Sequence, residues 1–163
     1  MQNRPDNNFY LIFNAIHNPL AAKVQSVVEV LEKQRITKIP KSPKQIMGVI
    51  SFRGEIIPVI DPRVILNLPT QQFEDFVIIV HHVHNERYNE TLTVGVLAHD
   101  VSNVIEVKPL DIIPASEINT VIPEKYTFGV FKDSGCFITI LDTDKILAIS
   151  DNIIHDDNQN KTQ

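Results

Sequence analysis

Four histidines within nineteen residues are the first candidates for chemistry: His81, His82 and His84 in HHVH, then His99 with Asp100 beside it. In a strand His82 and His84 share a face, and zinc accepts imidazole nitrogen. The cluster, however, runs straight into the polar stretch NERYNET, where histidines are usually just exposed. No HExxH pattern and no cysteine pair supports it. No metal ligand is assigned, and a His-cluster metal enzyme is kept only as the weaker alternative. Cys136 is the sole cysteine and lies in the apolar run CFITIL, which reads as core. There is no glycine-rich phosphate loop. No catalytic residue and no cofactor are expected, and the chain does not read as an enzyme.

Two further stretches carry charge in suggestive places. Lys33, Arg35, Lys38, Lys41 and Lys44 form a basic run that leads toward Arg53. Small barrels do bind oligonucleotides, but they stack bases on aromatic rings. Phe52 is the only aromatic residue near these lysines, so a solvated loop is the better reading and no nucleic acid is expected as partner. The second stretch is GVISFRGEIIPVID, residues 48–61. Its Arg-Gly-Glu tip separates two apolar runs, and a guanidinium there can take a carboxylate in a bidentate pair. Pro58, lacking an N–H, is expected at a sheet edge or a bulge.

These residues need strands to position them. FYLIF (9–13), FVIIV (76–80), LTVGVL (92–97) and CFITIL (136–141) are short, rich in β-branched and aromatic residues, and separated by polar or Gly/Pro stretches. No long helical stripe appears. Self-comparison then exposes a repeat. At an offset of 81, GVISFRGEIIPVIDPRVIL (48–66) matches GVFKDSGCFITILDTDKIL (129–147), with Gly48/Gly129, Gly54/Gly135 and Asp61/Asp142 identical. At an offset of 77, SVVEV (26–30) matches NVIEV (103–107). Glycine supplies the backbone angle at each hairpin tip. Each aspartate can cap a short helix, the first with Pro62 at its opening position. These six residues read as structural.

At 163 residues the chain is long enough for one ordinary domain or two very small ones. One repeat of about 60–70 residues buries little alone, so two lobes packed together are expected. The reading is all-β with short helices: two small β-barrels related by the repeat. The fold spans 9–149, with halves at about 9–68 and 76–149, and the ends 1–8 and 150–163 are expected to be flexible. Net charge is −5, divided into +4 over residues 1–70 and −9 over 71–163, which suggests two faces with different partners. No apolar run approaches the roughly 18 residues of a membrane span. With a single cysteine and no secretion signal, a cytoplasmic setting is expected.

The segment GVISFRGEIIPVIDPRVILNLP resembles the signature of the CheW-like domain, found in bacterial chemotaxis coupling proteins and in the regulatory domain of their histidine kinase. Gly48, Arg53, Gly54, Pro58, Val59 and Asp61 match its pattern, and Val27 and Glu29 stand where the family carries valine and glutamate. The resemblance covers about residues 9–149. Two positions depart from the pattern: His99 replaces the usual aspartate, and Pro62 the usual leucine. The resemblance implies two SH3-like five-stranded barrels and a signalling adaptor without catalysis. It implies two partners, the regulatory domain of a histidine kinase and the cytoplasmic helical tip of a chemoreceptor. The adaptor would be recruited to membrane receptor arrays without inserting into the membrane. Val27, Glu29, Arg53 and Pro58 are the expected partner-binding residues. A divergent barrel that binds nucleic acid or another protein is the alternative.

Overall fold

The computed structural model describes residues 8–147 apart from 16, 73 and 87. Of the ends expected to be flexible, all but Asn8 lie outside the described residues. The first half supplies β1 (Phe9–Ala15), β2 (Asn18–Lys23), β3 (Val27–Glu32), β4 (Ile46–Phe52), β5 (Glu55–Ile60) and the short helix α1 (Pro62–Ile65). The second supplies β6 (Val77–Asn85), β7 (Glu90–Ala98), β8 (Asp100–Glu106), β9 (Thr127–Asp133), β10 (Cys136–Leu141) and α2 (Thr143–Leu147). The expected all-β class and the two five-stranded lobes are present.

The lobes are not the repeat halves. One sheet runs β8-β1-β2-β10-β9 and the other β3-β6-β7-β5-β4. Each therefore takes two strands from one half and three from the other. The seams between halves are of two kinds. Antiparallel ladders join β1 to β8 and β3 to β6. Short parallel pairs join β2 to β10 at Leu20↔Thr139 and Ala21↔Ile140, and β5 to β7 at Val59↔Gly95 and Ile60↔Val96. The repeat thus relates two interlocked lobes by an approximate twofold exchange.

Barrel closure, expected by resemblance, is not made by a ladder. The edge strands β3 and β4 share no register, nor do β8 and β9. Instead the connector after β3 reaches the outer side of β4 through one bridge, Thr37 N–H to Val49 O at 2.9 Å and Val49 N–H to Thr37 O at 2.8 Å. The second lobe repeats this with Ile113 and Val130, at 2.7 and 2.8 Å. A crossing so close leaves no room for side chains beneath it. A Cβ on Gly48 would lie 2.2 Å from Thr37 O, and one on Gly129 would lie 2.4 Å from Ile112 Cγ2. That explains two of the conserved-within-chain glycines by packing, and it shields edge strands that would otherwise offer free backbone groups.

Alternation along the strands sorts apolar side chains into three clusters. Tyr10, Ile12, Phe131, Ile138 and Ile140 fill the first sheet's concavity. Ile50, Phe52, Ile57, Val59, Ile78 and Val80 fill the second. The largest cluster lies between the sheets, including Phe13, Leu20, Ile60, Leu66, Ile79, Val96, Leu141 and Leu147. Each lobe alone would expose this third set, so burial holds the lobes together.

Candidate functional site

The Arg53–Gly54 tip is a two-residue hairpin between Phe52 and Glu55. Both central residues have positive φ, 48° for Arg53 and 81° for Gly54, which is the type I′ geometry that matches strand twist. Ser134 and Gly135 adopt the same angles at the second tip, 48° and 85°. The backbone is therefore common to both copies, and the side chain at the first tip residue is what differs.

Arg53 uses its side chain to span an opening. Its Nη2 lies 3.1 Å from Glu29 Oε2. Its guanidinium carbon sits 4.9 Å from the centre of the Phe52 ring, a member of the lobe's inner cluster. Glu29 is on β3, at one edge of the sheet, and Arg53 closes the hairpin at the other edge. In a flat five-stranded sheet those edges would be roughly 19 Å apart, four spacings of about 4.8 Å. The ion pair is thus possible only because the sheet curls, and it lies across the unladdered seam. Side-chain exposure is 67% for Arg53 and 43% for Glu29, so the pair contributes at most about 1 kcal/mol to stability. Little of the fold's stability therefore rests on it. The second lobe has Glu106 and Ser134 at the equivalent places, so no such ion pair can form there.

The other expected contact residues are placed differently. Val27 is half-buried, opposite His81 at the β3–β6 ladder, and packs against the inter-sheet cluster. Pro58 is buried and lies on β5, an interior strand between β4 and β7, which corrects the edge-or-bulge expectation. The physical reason is the phase of the hairpin. Opposite Pro58, Val49 spends both backbone groups on Thr37, so this pair exchanges no bonds. The proline nitrogen therefore faces β7, whose ladder with β5 begins only at Val59. No bond is forfeited. Sequence reasoning missed Ile56, three residues beyond the tip arginine and 68% exposed, and its repeat equivalent Phe137, 55% exposed. Strand alternation from the buried Ile57 could have signalled that Ile56 faces outward.

Asp61 accepts from Arg63 N–H at 3.0 Å, the helix cap anticipated, and also binds the Arg63 guanidinium, with Nε at 2.9 Å and Nη2 at 2.7 Å. Asp142 accepts from Lys145 N–H at 3.2 Å. Arg63 is almost fully buried, which nothing in the sequence reading indicated.

The histidines divide by alternation. His82 and His84 do share an exposed face, whereas His81 is buried. No group of three or more ligating side chains able to hold a metal is present among the described residues. Cys136 is exposed at the start of β10, correcting its assignment to the core: the apolar run begins two residues before the strand becomes buried at Ile138.

His81 Nδ1 lies 3.2 Å from Ser26 Oγ, and burial lowers its pKa from 6.5 to about 4. The folded protein therefore binds this proton less readily than the unfolded chain. Stability from this group is complete above about pH 6.5 and is lost as pH falls toward 4. That gap corresponds to roughly 3 kcal/mol. Urea unfolding at pH 7 and pH 4.5 is expected to show a steeper loss for the wild type than for His81→Leu; equal slopes would contradict the assignment.

Comparison with known proteins places this geometry. The family model of the CheW-like domain matches residues 10–151. Chemotaxis protein CheW of Thermotoga maritima is 32% identical over 139 residues, covering 84% of this chain and 85% of that protein. The Bacillus subtilis protein of the same name is 26% identical over 137 residues, covering 84% and 85%. Among solved structures, the scaffolding protein TtCheW of Thermoanaerobacter tengcongensis superposes with a TM-score of 0.77 at 25% identity, covering 90% of this chain and 92% of that one.

Proposed function

Because the chain belongs to the CheW-like domain family, we propose that it couples chemoreceptors to a histidine kinase. At the coarser level it is a chemotaxis scaffold, an adaptor that works by binding other proteins, in a family of non-catalytic adaptors. The match over residues 10–151 carries that reading. No described helix is long and apolar enough to cross a membrane. Placement in a receptor array would then come from partner binding.

The finer proposal assigns the partners and the surface. One partner is the kinase's own regulatory domain and the other the helical tip of a receptor. Arg53 and Glu29 are the charged contacts, because they are exposed, contribute little to the fold and meet across a seam. Val27 shapes the floor beside them. Pro58, being buried, acts from beneath by fixing the strand that carries the tip. A receptor helix with an apolar stripe and flanking charges fits such a surface in the helix-in-groove manner. Signalling requires that receptor states differ in their preference for adaptor and kinase, typically by about 1–3 kcal/mol.

Arg53→Glu tests this. The substitution leaves like charges facing each other at an exposed site, so stability should change by no more than about 0.5–1 kcal/mol. Co-purification of a histidine kinase and a receptor from the native cell should fall at least about tenfold, equivalent to 1.4 kcal/mol. Pairing it with Glu29→Arg should restore the local ion pair. Undiminished recovery of both partners would remove these residues from the interface. Recovery of neither by the wild type would sink the adaptor reading itself.

A further inference from the structure

The basic run is not absorbed by the Arg53 site. The pair sits at the far end of β4, whereas Met47 lies near its start, about 20 Å away at roughly 3.3 Å per residue over six residues. There Met47, Ile36 and Phe76 form an apolar groove, bordered by Lys33, Gln34 and Arg35. All three apolar side chains are half-buried and the connector's basic residues are exposed.

The internal repeat provides a control for the charge. Residues 33–45 carry five cations and no acid. The connector that bridges β9 in the other lobe, residues 108–126, carries two cations and three acids. Both connectors make the same bridge to the outer side of a hairpin strand. The fold therefore does not demand the cations, since the acidic copy satisfies the same backbone. Acids do lie nearby: Glu32 at the end of β3, and Glu74 with Asp75 just before Phe76. Lys33 is engaged on that side, donating to the Glu74 carbonyl and lying 5.7 Å from the Phe76 ring. The positive charge not engaged there is consequently carried by Arg35, which borders the groove, and by Lys38 and Lys41, exposed farther along the same connector.

We propose that this groove docks an amphipathic, acidic segment of a protein partner. Its apolar stripe would cover Ile36, Met47 and Phe76, and its carboxylates would meet Arg35, Lys38 and Lys41. Cations on the connector and acids just before Phe76 together favour one direction for a bound segment, because its own charges must be placed toward the cations. A nucleic acid fits less well: the floor is apolar, and its one ring, Phe76, is already covered by Lys33. This surface is distinct from the Arg53 seam, so its failure would leave the kinase and receptor reading standing, and the converse holds.

The test uses the full chain and a labelled 18-residue peptide with leucines at helical i, i+3, i+4, i+7 spacing and glutamates elsewhere. Fluorescence anisotropy should show saturable binding that weakens with salt. Arg35→Glu/Lys38→Glu should weaken it at least tenfold, and Met47→Gln several-fold, while Arg53→Glu should leave it unchanged. A scrambled peptide of the same composition should bind at least tenfold more weakly. No binding, equal binding by the scrambled peptide, or an Arg35/Lys38 variant that binds normally would each overturn the proposal. So would tighter binding of a single-stranded oligonucleotide, which would make the run a polyanion site.

Discussion

Asp61→Ala is expected to destabilise the protein by about 3–5 kcal/mol, the range for removing one partner of a buried ion pair. Both Asp61 and Arg63 are 5% exposed. The carboxylate takes the N-terminal N–H of α1 and two guanidinium bonds at once, while Arg63 Nη1 donates onward to the Gln71 carbonyl. Without Asp61 a guanidinium is left buried and short of its partner, and a helix cap disappears with it. At about 2–4 °C per kcal/mol for a domain near this size, the melting temperature should fall by roughly 6–20 °C. The repeat supplies the comparison. Asp142→Ala removes an equivalent cap, but its ion-pair partner Lys145 is 65% exposed, so the loss should be nearer 1 kcal/mol. Adding Arg63→Met to Asp61→Ala should recover much of the deficit, because the uncompensated charge goes too. Urea unfolding of the four proteins decides the matter. A loss under 1 kcal/mol for Asp61→Ala, or equal losses at 61 and 142, would refute the account.

Gly48→Ala should be at least as damaging, with an expected loss of about 3 kcal/mol or more. Its Cβ would come within 2.2 Å of the Thr37 carbonyl oxygen and 2.8 Å of the carbonyl carbon. Those are backbone atoms held by two hydrogen bonds to Val49, so they cannot swing aside as a side chain tip would. Relief requires breaking the bridge that covers the edge of β4. Gly54→Ala is the contrast, since nothing lies within 4 Å of its Cβ position. There only the positive φ is at stake, worth about 1–2 kcal/mol. Thermal unfolding of the two variants should separate them clearly. If Gly54→Ala proves the more harmful, the connector does not press on β4 as described.

How much of this was legible in the sequence depends on what each residue's neighbours in the chain reveal. The hairpins, their glycine tips and the aspartate caps could be read because they are local: a tip, a strand pair and a cap lie within fifteen residues of one another. Arg63 could not be read, because an arginine beside a proline is ordinarily solvated; its carboxylate, Asp61, is only two residues away, but its burial depends on the chain that follows α1, where the Gln71 carbonyl takes its Nη1. Pro58 misled because the rule about edges concerns bonds, and the phase of the hairpin leaves its nitrogen on a side where the next ladder has not begun. The exchange of strands between halves was invisible for another reason. A repeat states that two segments are equivalent, but equivalence is satisfied equally by pairing within a half or across halves. The Glu29–Arg53 meeting shares that limit: both residues stood out, yet only the curl of the sheet brings their edges together.

The interlocking of the halves has a consequence for the order in which the molecule can be made. The β3-β6-β7-β5-β4 sheet has all its strands once Ala98 has been synthesised. The other sheet needs β10, and Leu20 must wait for Thr139, a separation of 139 − 20 = 119 residues, before its parallel pair can form. Until β8 is made the β1–β2 hairpin has no further strand to pair with, and the part of the inter-sheet cluster that Leu141, Ile146 and Leu147 supply stays unfilled until the last residues of the fold are added. Such long-range closure is slow, because the entropy of the loop is lost before any contact compensates it. The last strands and α2 therefore complete both the second sheet and the core between the sheets, so a chain cut short before β10 is expected to leave that core open.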